Sequence, residues 1–192
     1  MTGDNGSGLV EVLTTFCLLV DEIKNAFFGN RKEAVAAARR LARRALDVSG
    51  AGRDAAGNQG VGRIVGNLAD MLLHICDGVE KKMESQIPFS TRAVLETSYL
   101  LRELRALFET TAEFAKFRDQ FVFDLFKEKQ VGIEELHKTF IARHETRLME
   151  GICLNDAAVI YLNLLTNISN ITRELTKLVF ILPVAPPGQA AR

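Results

Sequence analysis

Residues 157–182 read AAVIYLNLLTNISNITRELTKLVFIL. This is the most apolar stretch of the chain, and three readings compete for it. A membrane span needs about 20 predominantly apolar residues, whereas Asn, Thr, Arg, Glu and Lys interrupt this one throughout. Its centre spells two N-glycosylation acceptors, Asn167-Ile168-Ser169 and Asn170-Ile171-Thr172, which belong on the surface loops of secreted proteins. The third reading accounts for the whole stretch. Tyr161, Leu164, Leu165, Ile168, Ile171, Leu175, Leu178 and Val179 recur every three or four residues, the spacing of one face of an α-helix. The segment therefore reads as a long helix packed on one side, with the acceptor triplets as chance matches inside it.

The same spacing finds five helices upstream. The first covers about residues 9–28 and the second about 31–48, with Asn30 as N-cap and Glu33 three residues on. A glycine-rich stretch, 49–62, separates them from a third helix over about 63–86. It lacks GK[ST] and a preceding strand, so it reads as an inter-helix loop rather than a phosphate cradle. Pro88 then interrupts the chain, and Ser90 opens a fourth helix, with Phe89 and Val94 placed as a hydrophobic staple. The pattern carries that helix to about residue 128, through Phe114, Phe117, Phe121, Phe123 and Phe126. Without basic interleaving these phenylalanines read as core rather than as a stacking platform for nucleic acid. Residues 129–132, KQVG, read as a turn, and a fifth helix over about 133–150 stops at Gly151. Asn155 reads as the N-cap of the sixth helix, with Leu154 and Val159 as a second staple, and Pro183 ends it.

Composition narrows the function classes. The 192 residues balance 24 Lys and Arg against 24 Asp and Glu, so no global field draws the chain to nucleic acid or to an anionic membrane. The start, MTGDNGSG, lacks the basic and apolar regions of a secretory signal. Cys17, Cys76 and Cys153 lie far apart, form no CxxC, and sit in apolar runs. They read as core thiols of a cytoplasmic protein. No Gly-x-Ser-x-Gly occurs, and no nucleophile suggests itself, so the chain reads as a non-enzyme without membrane insertion.

The order of loops repeats: short loop, longer loop, break, and again. Residues 66–79, GNLADMLLHICDGV, also align with 166–179, TNISNITRELTKLV. The expectation is an all-α fold of six helices, built as two antiparallel three-helix bundles related by an internal repeat. Residues 1–8 read as a disordered N-terminus, 9–87 as the first bundle, 88–182 as the second, and 183–192 as a disordered tail.

Two stretches, NLADMLLHICDGVEKKMESQIPFSTRAVLE (67–96) and HETRLMEGICLNDAAVIYLNLLTNISNITREL (144–175), resemble the PhoU family. The likeness is closer still to the PhoU-like cytoplasmic domain of bacterial sodium/phosphate cotransporters. SQIPFS at 85–90 and His144-x-x-Arg147-Leu148 followed by Gly151 carry it best. It extends over most of residues 9–182, and it implies a paired three-helix fold and a link to phosphate uptake.

The family typically carries acidic pairs at i and i+4 on inward helix faces, which collect hard cations through oxygen ligands. In the family's register those positions hold Ala69 and Leu73 in one copy, and Ser169 and Arg173 in the other. NISNIT thus reads as an erased metal motif, and the family's metal cluster is not carried over to this chain. One residue out of register, Asp70, His74 and Asp77 fall along one stripe of the third helix and form a candidate site for a single divalent ion. Glu134-x-x-His137 is half of a di-iron signature with no second copy.

Arg39, Arg40, Arg43 and Arg44 line a strip of the second helix, a candidate surface for phosphate, an anionic lipid or an acidic partner. The alternative is a solvated face paired to acids on the first helix. His144 and Arg147 are a further candidate for a hydrogen-bond network or a small anion site.

The resemblance thus leads to a regulator of phosphate uptake, docked on a phosphate transporter or sensor kinase at the inner face of the membrane, with a homodimer expected. Equally, the chain could be the soluble domain of a sodium/phosphate cotransporter. The first helix, about half as long as the fourth, favours that form by suggesting a chain cut from a longer one. A metal-binding helical bundle and a structural dimerisation module are the rival classes.

Overall fold

The computed structural model of the protein describes residues 4–49, 59–152 and 154–185. Among them are six α-helices and no strand: α1 (Asp4–Gly29), α2 (Lys32–Ser49), α3 (Gln59–Glu84), α4 (Thr91–Phe117), α5 (Gln120–Met149) and α6 (Asn155–Ile181). No helix among the described residues is long and apolar enough to cross a membrane. Helices α1, α2 and α3 pack on one another, as do α4, α5 and α6, while α1 also packs on α4 and α3 on α6. One apolar core runs through all six, with Phe16, Ala38, Leu68, Leu104, Phe126 and Leu165 as members from successive helices.

The largest departure from the sequence reading is the fourth helix, which ends at Phe117 rather than at about residue 128. Arg118 turns left-handed at φ 56°, its N–H donating to the Phe114 carbonyl at 2.8 Å. Asp119 then caps α5, its carboxylate accepting from the N–H groups of Phe121 and Val122 at 2.8 and 3.3 Å. KQVG is no turn: it lies inside α5, which is continuous through Gly132. A lone glycine weakens a helix without ending it. The break equalises the helices, since α1 has 26 residues and α4 has 27. The length mismatch that favoured a chain cut short therefore disappears.

Other junctions differ in detail. Helix α1 begins at Asp4, within the stretch read as a disordered N-terminus. Asn30 does not cap α2; it adopts φ 50° beyond the end of α1, a left-handed position that asparagine tolerates better than most residues. Helix α3 begins at Gln59, inside the glycine-rich stretch, whose residues 50–58 lie outside the described residues. Ser90 does cap α4, accepting from the Ala93 N–H at 3.3 Å. Gly151 ends α5 at φ 69°. Its N–H reaches Leu148 O at 3.1 Å and the Ile152 N–H reaches Arg147 O at 3.0 Å, the paired bonds of a Schellman cap. Asn155 is the first residue of α6 rather than its cap, and Leu154 and Val159 are both exposed instead of stapling it. Of the tail, residues 183–185 are described, and Ala185 N–H donates to Arg118 O at 2.8 Å; residues 186–192 lie outside.

The helix over 157–182 is where the sequence placed it. Within NISNIT, Ile168, Ser169, Ile171 and Thr172 are buried, and the Thr172 hydroxyl donates to Ile168 O at 3.0 Å. The acceptor asparagines, Asn167 and Asn170, are half-buried in mid-helix, and the Asn167 Nδ2 donates to Asn163 O at 2.8 Å, unlike the surface loops in which glycan acceptors are found. Helices α3 and α6 bury corresponding positions: Ile64, Val65, Leu68, Ala69, Leu72, Ile75 and Val79 in one, and Leu164, Leu165, Ile168, Ser169, Thr172, Leu175 and Val179 in the other.

Candidate functional site

The sequence placed His144 and Arg147 three apart on one helix, and α5 points both into the interior. His144 is 1% exposed and Arg147 8%, so neither contributes to a partner surface. Their surroundings come from two other helices. From α4, Glu96 offers both carboxylate oxygens to Arg147, with Nη1 to Oε1 at 3.2 Å and Nη2 to Oε2 at 2.8 Å. From α6, the Tyr161 hydroxyl donates to Glu96 Oε2 at 2.6 Å. The Tyr161 ring lies 4.9 Å from the His144 ring. Glu96 and Tyr161 are themselves buried.

This network holds charge without presenting it. Arg147 is neutralised by a bidentate carboxylate, the strongest geometry for that pair, and so does not form an anion site. Burial, followed by the neighbouring Arg147 charge, holds the His144 imidazole below its ordinary pKa. Burial, and then the hydrogen bond to Glu96, raise the Tyr161 phenol. A cavity of about 230 Å³ opens beside His144 and Tyr161, walled by Phe89, Ala93, Ile152 and Leu154. Sequence reasoning missed Glu96 and Tyr161. The available signal was a glutamate in the buried phase of α4, between Ala93 and Leu100.

The arginines of α2 divide into two kinds. Arg39 is a strut: its Nη2 lies 2.7 Å from Asp77 Oδ1 and 2.7 Å from Glu80 Oε2, both on α3. Arg44 reaches Glu11 on α1 at 2.8 Å. Arg40 and Arg43 are exposed and make no ion pair among the described residues. The pairing expected with the first helix thus holds for Arg44 alone, and only Arg40 and Arg43 remain as unengaged charge.

The candidate metal residues are not gathered. Asp70, His74 and Asp77 are all exposed on α3, and Asp77 is taken by Arg39. Among the described residues, no three His, Cys, Asp or Glu side chains converge as they would around a metal ion. At the erased acid positions, Ala69 and Ser169 are buried between packed helices, while Arg173 is exposed. Glu134 accepts a hydrogen bond from Gln130 at 2.6 Å, and His137, half-buried on the same helix, has its pKa lowered by burial and then by the Arg173 charge.

The Cys17 and Cys76 thiols are buried, and burial pushes each up to about 12, which makes them inert at neutral pH. Cys153 lies outside the described residues. Of the phenylalanines read as core, Phe114 and Phe126 are fully buried, Phe123 is half-buried, and Phe117 and Phe121 are exposed.

Comparison with family models, with curated proteins and with solved structures finds no match for this chain.

Proposed function

We propose that this protein is a non-enzymatic regulator of phosphate uptake of the PhoU type, acting by docking on a phosphate transporter or sensor kinase at the cytoplasmic face of the membrane. The observation that carries the reading is the correspondence of α3 and α6. They were aligned by sequence as repeat partners, and in that register, extended to Ile64 and Leu164, seven positions are buried in both, while Ile171, Glu174 and Leu178 are buried in α6 alone and Cys76 in α3 alone. The near-equal lengths of α1 and α4 add support for two related three-helix units. The likeness of residues 67–96 and 144–175 to PhoU supplies the link to phosphate, whether the chain stands alone or serves as the soluble domain of a sodium/phosphate cotransporter. Docking falls to Arg40 and Arg43, the two α2 arginines not spent on neighbouring helices. The test is capture from membranes of phosphate-starved and phosphate-replete cells. Recovery of a phosphate transporter or its sensor kinase, in amounts that change with phosphate, supports the reading. Recovery of neither in both conditions overturns it.

A second reading, a self-associating module, draws on the far end of α6. Phe121, Phe180 and Ile181 are 76%, 65% and 51% exposed, and Phe180 stacks edge-on against Phe123 at 5.6 Å. A homodimer through this end would cover an apolar patch of the kind that marks interfaces. Light scattering of the wild type against Phe121→Ser/Phe180→Ser decides it, since a wild type that is monomeric at all concentrations removes the reading.

A further inference from the structure

A cavity of about 560 Å³ lies where the end of α1, the start of α2, the end of α3 and the start of α4 meet. Ligand sites run from about 300 to 1,000 Å³, so it is large enough where the cavity beside His144 is not. Its lining is mixed: Phe27, Phe28, Phe89 and Val94 supply the apolar side, with Phe27 and Phe89 edge to face at 5.3 Å, and Asn30 and Gln86 are among the polar groups. No acidic side chain lines it among the described residues, yet Lys32 and Lys82 both do.

Lys82 is the unusual group. Its ammonium donates to the Phe27 carbonyl and to Asn30 Oδ1, each at 3.2 Å, and lies 5.0 Å from the centre of the Phe27 ring. An ammonium has three N–H donors, and these partners use two. Both partners are neutral oxygens, and neither Lys82 nor Lys32 forms an ion pair among the described residues. Desolvation lowers the Lys82 pKa, as expected of a half-buried cation whose charge no carboxylate balances. Asn30 and Gln86, both held left-handed at φ 50°, shape the rim. Four of the lining residues, Gln86 to Phe89, belong to the SQIPFS stretch that stood out in the sequence.

We propose that this cavity binds an anionic amphiphile, with a phosphate or carboxylate head on Lys82 and Lys32 and an apolar body against Phe27, Phe89 and Val94. The head would accept the third N–H of Lys82. Two sources offer this chemistry, a soluble phosphate monoester and the headgroup of an anionic phospholipid.

The test titrates the full chain with dodecyl phosphate, inorganic phosphate and the neutral detergent dodecyl maltoside, and separately co-sediments it with phosphatidylglycerol vesicles. Two variants accompany it: Lys82→Met, which keeps the stem, and Lys32→Gln, at an exposed position where folding is not at stake. The expected result is one dodecyl phosphate per chain, at least tenfold weaker in Lys82→Met and at least threefold weaker in Lys32→Gln. Inorganic phosphate and dodecyl maltoside should each bind at least tenfold more weakly than dodecyl phosphate. Co-sedimentation that both variants reduce supports the same site with a membrane lipid as the source. Equal binding of the neutral detergent, wild-type binding of dodecyl phosphate by both variants, or no binding to either dodecyl phosphate or vesicles overturns the proposal.

Discussion

Arg147 and Glu96 face each other as a closed fork, the two terminal nitrogens at 3.2 and 2.8 Å from the two carboxylate oxygens. The pair joins α5 to α4, and Tyr161, hydrogen-bonded to the same carboxylate, adds α6. Three helices are thus locked by one buried carboxylate. Taking both charges out of water costs several kcal/mol each, and only full pairing offsets it. The arrangement is therefore sensitive to losing one member and tolerant of losing both.

That asymmetry gives the first prediction. Glu96→Leu leaves the Arg147 charge buried without its counter-ion and should destabilise the protein by about 3–5 kcal/mol in urea unfolding. Arg147→Met should cost a similar amount. The double variant Glu96→Leu/Arg147→Met should be markedly more stable than either single variant. Additive losses across this cycle would mean that the two residues do not interact as described.

The junction between α4 and α5 yields the second. Gly132 lies mid-helix, and a Cβ built there meets nothing within 4 Å, so Gly132→Ala should stabilise by about 1 kcal/mol. Asp119→Ala, which removes the cap of α5, should cost about 1 kcal/mol. Thermal unfolding of the two variants separates the alternatives. Were residues 129–132 a turn, the alanine would give no gain and Asp119 would be an ordinary surface residue.

This junction also explains what the sequence hides. Helical spacing made all six helices legible, but Phe114, Phe117, Phe121 and Phe126 keep a three-to-five-residue spacing straight across the break at Arg118. Periodicity cannot detect a corner when both sides carry the same kind of side chain, here with only Phe114 and Phe126 of the run buried. The remaining signal was Asp119 ahead of an apolar run, a helix start made without proline or glycine before it. The network was legible by half. His144 and Arg147 are polar neighbours on one helix, so their placement on a shared face is local. Glu96 lies 51 residues from Arg147 and 65 from Tyr161, and such partners are set by packing rather than by spacing. The metal stripe failed for a related reason: sharing a helix face brings Asp70, His74 and Asp77 into line but not to a point, and Arg39 from α2 claims one of them.

A third prediction concerns pH. The His144 and His137 imidazoles both have pKa values lowered by burial. Near pH 8 these groups are neutral whether the chain is folded or not, and they do not alter stability with pH. As pH falls below the unfolded value of about 6.5, the unfolded chain takes up protons that the folded chain refuses, and stability declines until the folded pKa values are passed. Cys17, Cys76 and Tyr161 act with the opposite sign, since their raised pKa values let the unfolded thiols and phenol ionise first. Stability should therefore fall again above about pH 8.5, where unfolded thiols ionise, and more steeply above about pH 10, where the phenol joins them. Urea midpoints measured from pH 5 to 11 should show a maximum flanked by both declines, and Tyr161→Phe should lessen only the steeper part above about pH 10.

The fourth prediction separates structural from docking arginines on α2. Arg39 bridges two carboxylates of α3 in a half-exposed setting, where such pairs contribute at most about 1 kcal/mol. Arg39→Ala should therefore lower stability by up to that amount. It should leave partner capture unchanged, because its charge is already spent inside the fold. Arg40→Glu/Arg43→Glu alters two exposed side chains with no ion pair among the described residues, and should shift stability by no more than about 0.5 kcal/mol. If α2 is the docking face, this double variant should lose the phosphate transporter or sensor kinase that the wild type captures from membranes, while Arg39→Ala retains it. The charge reversal matters because an acidic partner would be repelled rather than merely left unpaired. Undiminished capture by the double variant would move the docking surface away from α2 altogether, leaving its arginines as solvated charge on the flank of the bundle.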